Sequence, residues 1–287
     1  GQPVRLGAVR AQQDFERPEF HEKVLLPWYD YWLKGLDTGV MDGATVTTFV
    51  SGIDEYVAWR EWPPEEIEYS NLYLRRGPSG AVVSLNDGSL SQEPPRDGEG
   101  GTTYSYPRQE WHLGPVEFKP DGSSDPTSQV LTWTTEPLEQ DLMIAGPIAV
   151  VLYASSDQPD TDFFVKLWDQ VPSGAGENRR DVLLARGWLR ASHRDLDESR
   201  STIGRPFHPH RDPRSIEPGK VYRFDIEVWP IAHVFMTGHR IRLHLTNGDS
   251  SVTDGNYSHF YGIKFGSDTI LHDADHPSHV LLPIIPR

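Results

Sequence analysis

Residues 221–246 restrict what this chain can fold into more than any other stretch. Tyr222, Phe224, Ile226 and Val228 alternate with Arg223, Asp225 and Glu227. That period of two places apolar side chains on one face of a strand and charges on the other. Residues 231–238 then turn the chain, with a short helix expected within 230–235. The pattern resumes with Ile241, Leu243 and Leu245 inward and Arg240, Arg242 and His244 outward toward water. Two half-buried antiparallel strands follow from such a pattern. The stretch reads as scaffold, so chemistry has to be sought elsewhere.

From residue 65 onward the same signal recurs. Strands are expected at 71–74, 82–85, 103–106, 129–134, 142–144, 148–154, 163–168, 181–191 and 279–284, with turn-rich loops at 86–101, 119–128 and 172–180. Twenty-four Pro and 25 Gly in 287 residues suit short strands better than long helices. The expected fold is mainly β, a sandwich of jelly-roll type over residues 65–287.

Residues 1–64 differ. Phe20, Val24, Trp28 and Trp32 recur at four-residue spacing, as do Leu25, Tyr29 and Leu33, which predicts a broad apolar helical face. Pro27 implies a kink or a helix start, and Gly35 a C-terminal stop. A strand is expected within 43–52. One helix and one strand cannot bury this many aromatic side chains, so the segment has to dock on something larger. Trp28, Tyr29, Trp32 and Leu33 are the candidate docking residues.

Charge and motifs exclude several functions. A formal net charge of −15 argues against a nucleic-acid partner, which requires a cationic surface. No apolar run is long enough to cross a bilayer, so no membrane partner is expected. The absence of Cys removes disulfides and thiolate chemistry. Gly77-Pro78-Ser79-Gly80 falls short of a nucleophile elbow because Ala81 stands where the last Gly belongs, and it reads as a hairpin turn. His272, Asp273, Asp275, His276 and His279 crowd together, but Pro277 favours an exposed turn over a metal-binding helix. His208-Pro209-His210 reads as a solvated loop, and Asp249, Asp254 and Asn256 as turn residues rather than calcium ligands. Asn256-Tyr257-Ser258 is a glycosylation sequon. No catalytic residue, metal site or cofactor is therefore expected.

A resemblance comes from ordered motifs. Trp28-Tyr29-Asp30-Tyr31-Trp32-Leu33-Lys34-Gly35, Phe49-Val50-Ser51-Gly52, Trp62-Pro63-Pro64 and Leu72-Tyr73-Leu74 are followed by Thr135-Glu136-Pro137-Leu138, Asp160-Thr161-Asp162-Phe163, Gly238-His239-Arg240-Ile241-Arg242-Leu243 and His276-Pro277-Ser278-His279. In this order and spacing they resemble the C-terminal part of cocaine-esterase-like and X-Pro dipeptidyl-peptidase-like serine hydrolases. Relatives of that family include α-amino-acid ester hydrolases and glutaryl acylases.

The resemblance implies that residues 1–64 are the last helix–strand piece of an α/β-hydrolase domain. It also implies that 65–287 form a galactose-binding-like jelly roll, and that the Ser-Asp-His triad lies in an upstream hydrolase and cap segment. The partners implied are that segment and a small ester or amide substrate; self-association into a homo-oligomer is the other way to cover the helix. Trp111, His112 and Leu113 would line one side of the substrate cleft, or else pack on their own domain. Where relatives often read Ser-Ser-x-Phe-Pro, this chain has Asn247-Gly248-Asp249-Ser250-Ser251-Val252. A free-standing carbohydrate- or ligand-binding module is the competing reading, and a chain with its own unrecognised site a third.

Overall fold

The computed structural model describes residues 16–109, 111, 113–172, 181–250, 252 and 264–286. Pro18–Phe20 and a π-helical stretch at His21–Leu25 lead into helix α1, Leu26–Lys34. Pro27 follows directly on the π-helical stretch, where Leu26 N–H reaches back to His21 O, so its missing N–H falls where the regular i→i−4 ladder is already interrupted. Gly35 ends the helix in the left-handed region (φ 67°), as the sequence predicts.

Strands β1 (Val46–Val50) and β2 (Glu55–Trp59) form an antiparallel hairpin. The remaining strands are β3 (Glu68–Pro78), β4 (Gly88–Ser91), β5 (Gly101–Tyr106), β6 (Glu117–Phe118), β7 (Ser124–Asp125), β8 (Leu131–Thr134), β9 (Leu142–Ser156), β10 (Asp162–Gln170), β11 (Val182–Arg190), β12 (Tyr222–Phe235), β13 (Arg240–Thr246), β14 (Gly266–Leu271) and β15 (His279–Ile284).

Two sheets make a β-sandwich. One runs β11-β10-β13-β8; the other runs β12-β9-β15-β3-β4, and β14 and β5 continue it from the far end of β9. The seams between the sheets are brief. Strands β4 and β8 share two parallel residue pairs, and β11 meets β12 only at Gly187↔Val228. There a side chain on residue 187 would put its Cβ 2.1 Å from the Glu227 carbonyl, so only Gly allows the strands to close. Phe163, Val165 and Leu167 of β10 and Leu243 and Leu245 of β13 face Val150 and Leu152 of β9, Phe224 and Ile226 of β12, and Val280 and Leu282 of β15 in one buried core.

Several expectations need correcting. No helix occupies 230–235, because β12 runs on to Phe235 through a bulge between Val228 and Ile231. That bulge sets Trp229 and Pro230 opposite Pro147, so two residues without an amide hydrogen meet where the ladder is already broken. The candidates at 142–144 and 148–154 are one strand, β9. Residues 82–85 are not a strand. Ser84 and Asn86 instead bond β8 through side chains, with Thr132 Oγ1 2.7 Å from Ser84 Oγ and Thr132 N donating to Asn86 Oδ1 at 2.8 Å. Strands β2, β4, β6, β7 and β14 escaped the sequence reading, and β4 and β7 fall inside the stretches expected to be loops, 86–101 and 119–128. Arg242 and His244 do point away from Leu243, but not into water: they are 0% and 2% exposed. Loops cover that face of the sheet, where Arg242 pairs with Asp181 and His244 stacks on Trp168.

A polar node sits inside the sandwich at the β5–β14 end. Asp268, fully buried, accepts hydrogen bonds from Tyr104 (3.2 Å), Tyr106 (3.1 Å) and Thr161 (2.8 Å). Burial nevertheless pushes its carboxyl up to about 6. An unfolded Asp titrates near about 3.9, so between these values the folded chain holds a proton that the unfolded chain has released. Stability therefore falls as pH rises through that window, by roughly 2–3 kcal/mol once both states are ionised. Urea unfolding at pH 4, 5, 6 and 7 is expected to show this decline, and Asp268→Asn to abolish its share. Equal slopes in both proteins would refute the assignment.

Candidate functional site

The first candidate surface is the outer face of α1. Trp28, Tyr29, Trp32 and Leu33 are 46%, 49%, 56% and 77% exposed, and no residue of the helix is buried. The four-residue repeat brings the Trp28 and Trp32 rings to 6.3 Å, and Tyr29 lies edge-on to Trp28 at 5.3 Å. Asp30 and Lys34, also four apart, join by a 2.7 Å ion pair. The result is a contiguous apolar patch of the kind that marks an interaction surface.

The β1–β2 hairpin carries this segment onto the sandwich. Val50 packs with Ala145, Ala232 and Val234 in a second small core beside Trp59 and Trp62. Ser51 forms a single parallel bridge to the edge of β12 at His233, donating its N–H to Ala232 O and accepting from Val234 N. Ser51 Oγ lies 2.8 Å from His233 Nδ1, and His233 Nε2 lies 3.3 Å from Asp169 Oδ2.

A serine, a histidine and an aspartate thus line up, but not as a catalytic triad. In that device the serine meets Nε2 and the acid holds Nδ1; here the two are exchanged. His233 is 2% exposed with Phe235 edge-on at 4.6 Å, and Asp169 is also bound by His239 Nδ1, 2.9 Å from both carboxylate oxygens. The cluster ties the hairpin to β10 and β12. Its members lie up to 182 positions apart, so no sequence pattern announced it.

The second candidate surface is the loop after β5. Trp111 is 6% exposed and joins the main core, whereas Leu113 is 47% exposed; His112 lies outside the described residues. The loop is clasped by the segment that follows β13. Ser250 Oγ donates to the Leu113 carbonyl, and Gly114, at φ 88°, passes so near that a Cβ there would sit 2.3 Å from Asp249 O. Asn247 anchors the clasp, its Nδ2 donating to Thr161 Oγ1 at 2.7 Å and to Asp162 O at 2.9 Å.

The other sequence candidates are built into the scaffold. Ser79 bonds Asp87 Oδ1 at 2.5 Å in the loop joining β3 to β4. Residues 273–276 form a turn, with His276 bonded to Asp273 (3.0 Å), while His272 meets Thr102 Oγ1 (2.9 Å) and His279 the Pro277 carbonyl (2.7 Å). His208 is not simply solvated. Its ring nitrogens lie 3.1 and 2.7 Å from the Asp195 and Asp225 carbonyl oxygens. Asp254 and the sequon at Asn256 lie outside the described residues. Among the described residues, no three His, Asp or Glu side chains converge as a metal site.

Comparison with known proteins locates this architecture. The profile of the X-Pro dipeptidyl-peptidase C-terminal non-catalytic domain matches residues 38–281. A cocaine esterase of Rhodococcus sp. (strain MB1 Bresler) is 28% identical over 279 residues, which cover 91% of this chain and 45% of the esterase. The fold is shared with a CocE/NonD family hydrolase of Staphylococcus aureus (TM-score 0.72, 18% identity, 95% of this chain and 47% of that one). It is shared also with an aminopeptidase of a marine-sediment Thaumarchaeota archaeon (TM-score 0.67, 22% identity, 93% of this chain and 44% of that one). The chain spans less than half the length of each. With 38–281 matched, it belongs to the family of X-Pro dipeptidyl-peptidase C-terminal non-catalytic domains.

Proposed function

We propose that this chain is the C-terminal portion of a serine hydrolase acting on ester or amide substrates, and that its α1 face seats on an α/β-hydrolase domain carrying the Ser-Asp-His triad. The observation that carries this reading is the exposed Trp28–Leu33 face, which neither the hairpin nor the sandwich covers. Fully burying one large apolar side chain is worth roughly 1.5–3 kcal/mol, so several together supply a strong reason to dock. In this reading residues 1–64 complete the hydrolase domain, and 65–287 form the sandwich packed beside it. The loop from Trp111 to Gly114, held by Asn247, Asp249 and Ser250, closes one side of the substrate cleft, with exposed Leu113 at its tip and buried Trp111 as its root. The length of the related esterase beyond the matched part supports a catalytic segment of that kind.

Acyl transfer needs an activated nucleophile, a base and oxyanion donors, and the Ser51–His233–Asp169 cluster has its serine and acid on the wrong nitrogens. The chain by itself is expected not to hydrolyse an activated aryl ester. Turnover that a serine-directed inhibitor removes and Ser51→Ala abolishes would overturn this. Co-expression with a hydrolase-and-cap fragment ending just after its triad His is expected to give a stable complex with restored esterase activity. Trp32→Asp should weaken that complex at least about tenfold, equivalent to about 1.4 kcal/mol, while Glu198→Lys on the exposed sandwich surface leaves it unchanged. A chain that stays monomeric beside the fragment, with no gain in turnover, would refute the docking role.

The cleft-closing loop yields a separate expectation. Gly114→Ala forces a side chain into a left-handed position against the Asp249 carbonyl, at a cost of roughly 1–3 kcal/mol in urea unfolding. Gly122→Ala, at φ 80° with no atom near the new Cβ, bears the backbone strain alone and should cost less. Equal losses would show that the clasp does not constrain the loop.

A further inference from the structure

The polar node around Asp268 reaches both supports of the Trp111–Gly114 loop. Tyr106 ends β5 shortly before that loop, and its hydroxyl lies 3.1 Å from Asp268 Oδ1 and 2.9 Å from Thr161 Oγ1. Asn247, at the start of the clasp, donates its Nδ2 to the same Thr161 Oγ1 at 2.7 Å. Thr161 in turn donates to Asp268 Oδ2 at 2.8 Å. Beyond Asn247 the chain presents Asp249 to Gly114 and Ser250 to the Leu113 carbonyl. One buried carboxyl thus stands behind the entry of the loop and behind its clasp.

Counting hydrogens gives the node two satisfied arrangements. Tyr106 carries one hydroxyl hydrogen and has two acceptors in reach. With Asp268 ionised, Tyr104, Tyr106 and Thr161 all donate to its carboxylate, and Thr161 Oγ1 accepts from Asn247 alone. With Asp268 protonated on Oδ1, that oxygen donates to Tyr106, whose own hydrogen turns to Thr161 Oγ1. Thr161 then accepts from Tyr106 and Asn247 together, which fills both lone pairs of its hydroxyl. No donor is orphaned in either arrangement, so neither carries the cost of an unpaired buried group. Both phenols stay protonated throughout, because burial first and then the Asp268 charge raise them above the ordinary tyrosine range. Of the charged groups around the node, Asp162 is paired with Arg190 and Lys264, Asp160 is bonded by Ser192, and Asp157 by the Ser267 N–H. Ser156 Oγ, on β9, lies 3.5 Å from the Tyr106 hydroxyl. The proton that comes and goes inside the node is therefore that of Asp268, at about pH 6.

We propose that Asp268 is a positioning residue for the Trp111–Gly114 loop: its proton decides which way the Tyr106 hydroxyl points, and Thr161 relays that choice through Asn247 to the clasp. The bearing on catalysis rests on the reading of this loop as one wall of the substrate cleft. The hydrogen-bond relay itself belongs to this chain alone and does not depend on a docked hydrolase domain.

The test follows the Asp268 carboxyl carbon and the Gly114 amide of the full chain by NMR as pH is varied. His112→Gln is the background throughout, because an imidazole next to Leu113 in sequence titrates in the same range. Carboxyl and amide are expected to share one midpoint near 6, and Asp268→Asn to remove the amide's inflection. Thr161→Val keeps the shape of the side chain and removes its hydroxyl. It should leave the carboxyl titrating, at a higher midpoint for want of one donor, with the Gly114 amide flat. Thr161→Ser restores the hydroxyl and should restore the response. A Gly114 amide that stays flat while the carboxyl titrates in the Thr161 chain would overturn the proposal, and so would an equal response in Thr161→Val. In the complex with a hydrolase fragment, KM for an activated aryl ester is expected to inflect near the same pH, and Asp268→Asn to abolish the inflection. If the relay operates in the chain but KM is indifferent to it, the positioning role stands and the loop's place in the cleft falls.

Discussion

The fifteen-residue strand β9 is paired along both edges, and the rest of the structure depends on that pairing. On one side β12 follows it from Tyr222↔Ala154 to Phe235↔Leu142; on the other β15 and then β14 take up successive parts of its length. Residues 142 to 156 therefore bring together strands that begin more than sixty positions later in the chain. Its side chains also serve two cores. Ile144, Val150 and Leu152 look into the sandwich, while Ala145 looks the other way, toward Val50 of the hairpin. The N-terminal segment is thus attached to β12, on the stretch that β9 holds in register, with Ala145 of β9 in the small core between them.

How much of this was legible in the sequence follows from which forces are local. The alternation in β12 and β13 reports on one face of one strand, and it placed Phe224, Ile226, Leu243 and Leu245 in the core correctly. It could not report what covers the other face. Arg242 and His244 occupy the alternate positions, but loops from distant parts of the chain exclude water from them, and only the folded structure reveals that. Valines at 82 and 83 carry strand propensity, yet Val83 is 82% exposed and the segment reaches β8 through Ser84 and Asn86. The helix was the easier case, because the repeat from Trp28 to Trp32, Pro27 in the first turn and Gly35 at the end all act within a few residues.

Function was legible only as far as short motifs in order can carry it. Those motifs pointed to the family, and the match over residues 38–281 agrees. The clasp of Leu113 and Gly114 by Asp249 and Ser250, and the Ser51–His233–Asp169–His239 cluster, are contacts across long sequence separations with no recurring spacing. The stretch that departs from the common pattern of relatives, Asn247 to Ser250, proves to be buried and hydrogen-bonded, so its unusual residues belong to packing rather than to a solvent-facing turn.

The near closure of the two sheets also bears on self-association. Unpaired strand edges act as templates on which other chains can add. β9 and β12 join the ends of the ladder into a ring, but the seams are brief: among the described residues β11 has a ladder partner on its outer side only at Gly187, and β14 alone pairs with β5. That strand is six residues long, opens on Gly101 and is followed at once by Pro107, while Thr103 and Ser105 bond their own neighbours Thr269 and Ser267 through hydroxyls. Such an edge is short and already engaged with its own sheet. At the β5 end, therefore, the sheet offers little on which amyloid-like strand addition could begin.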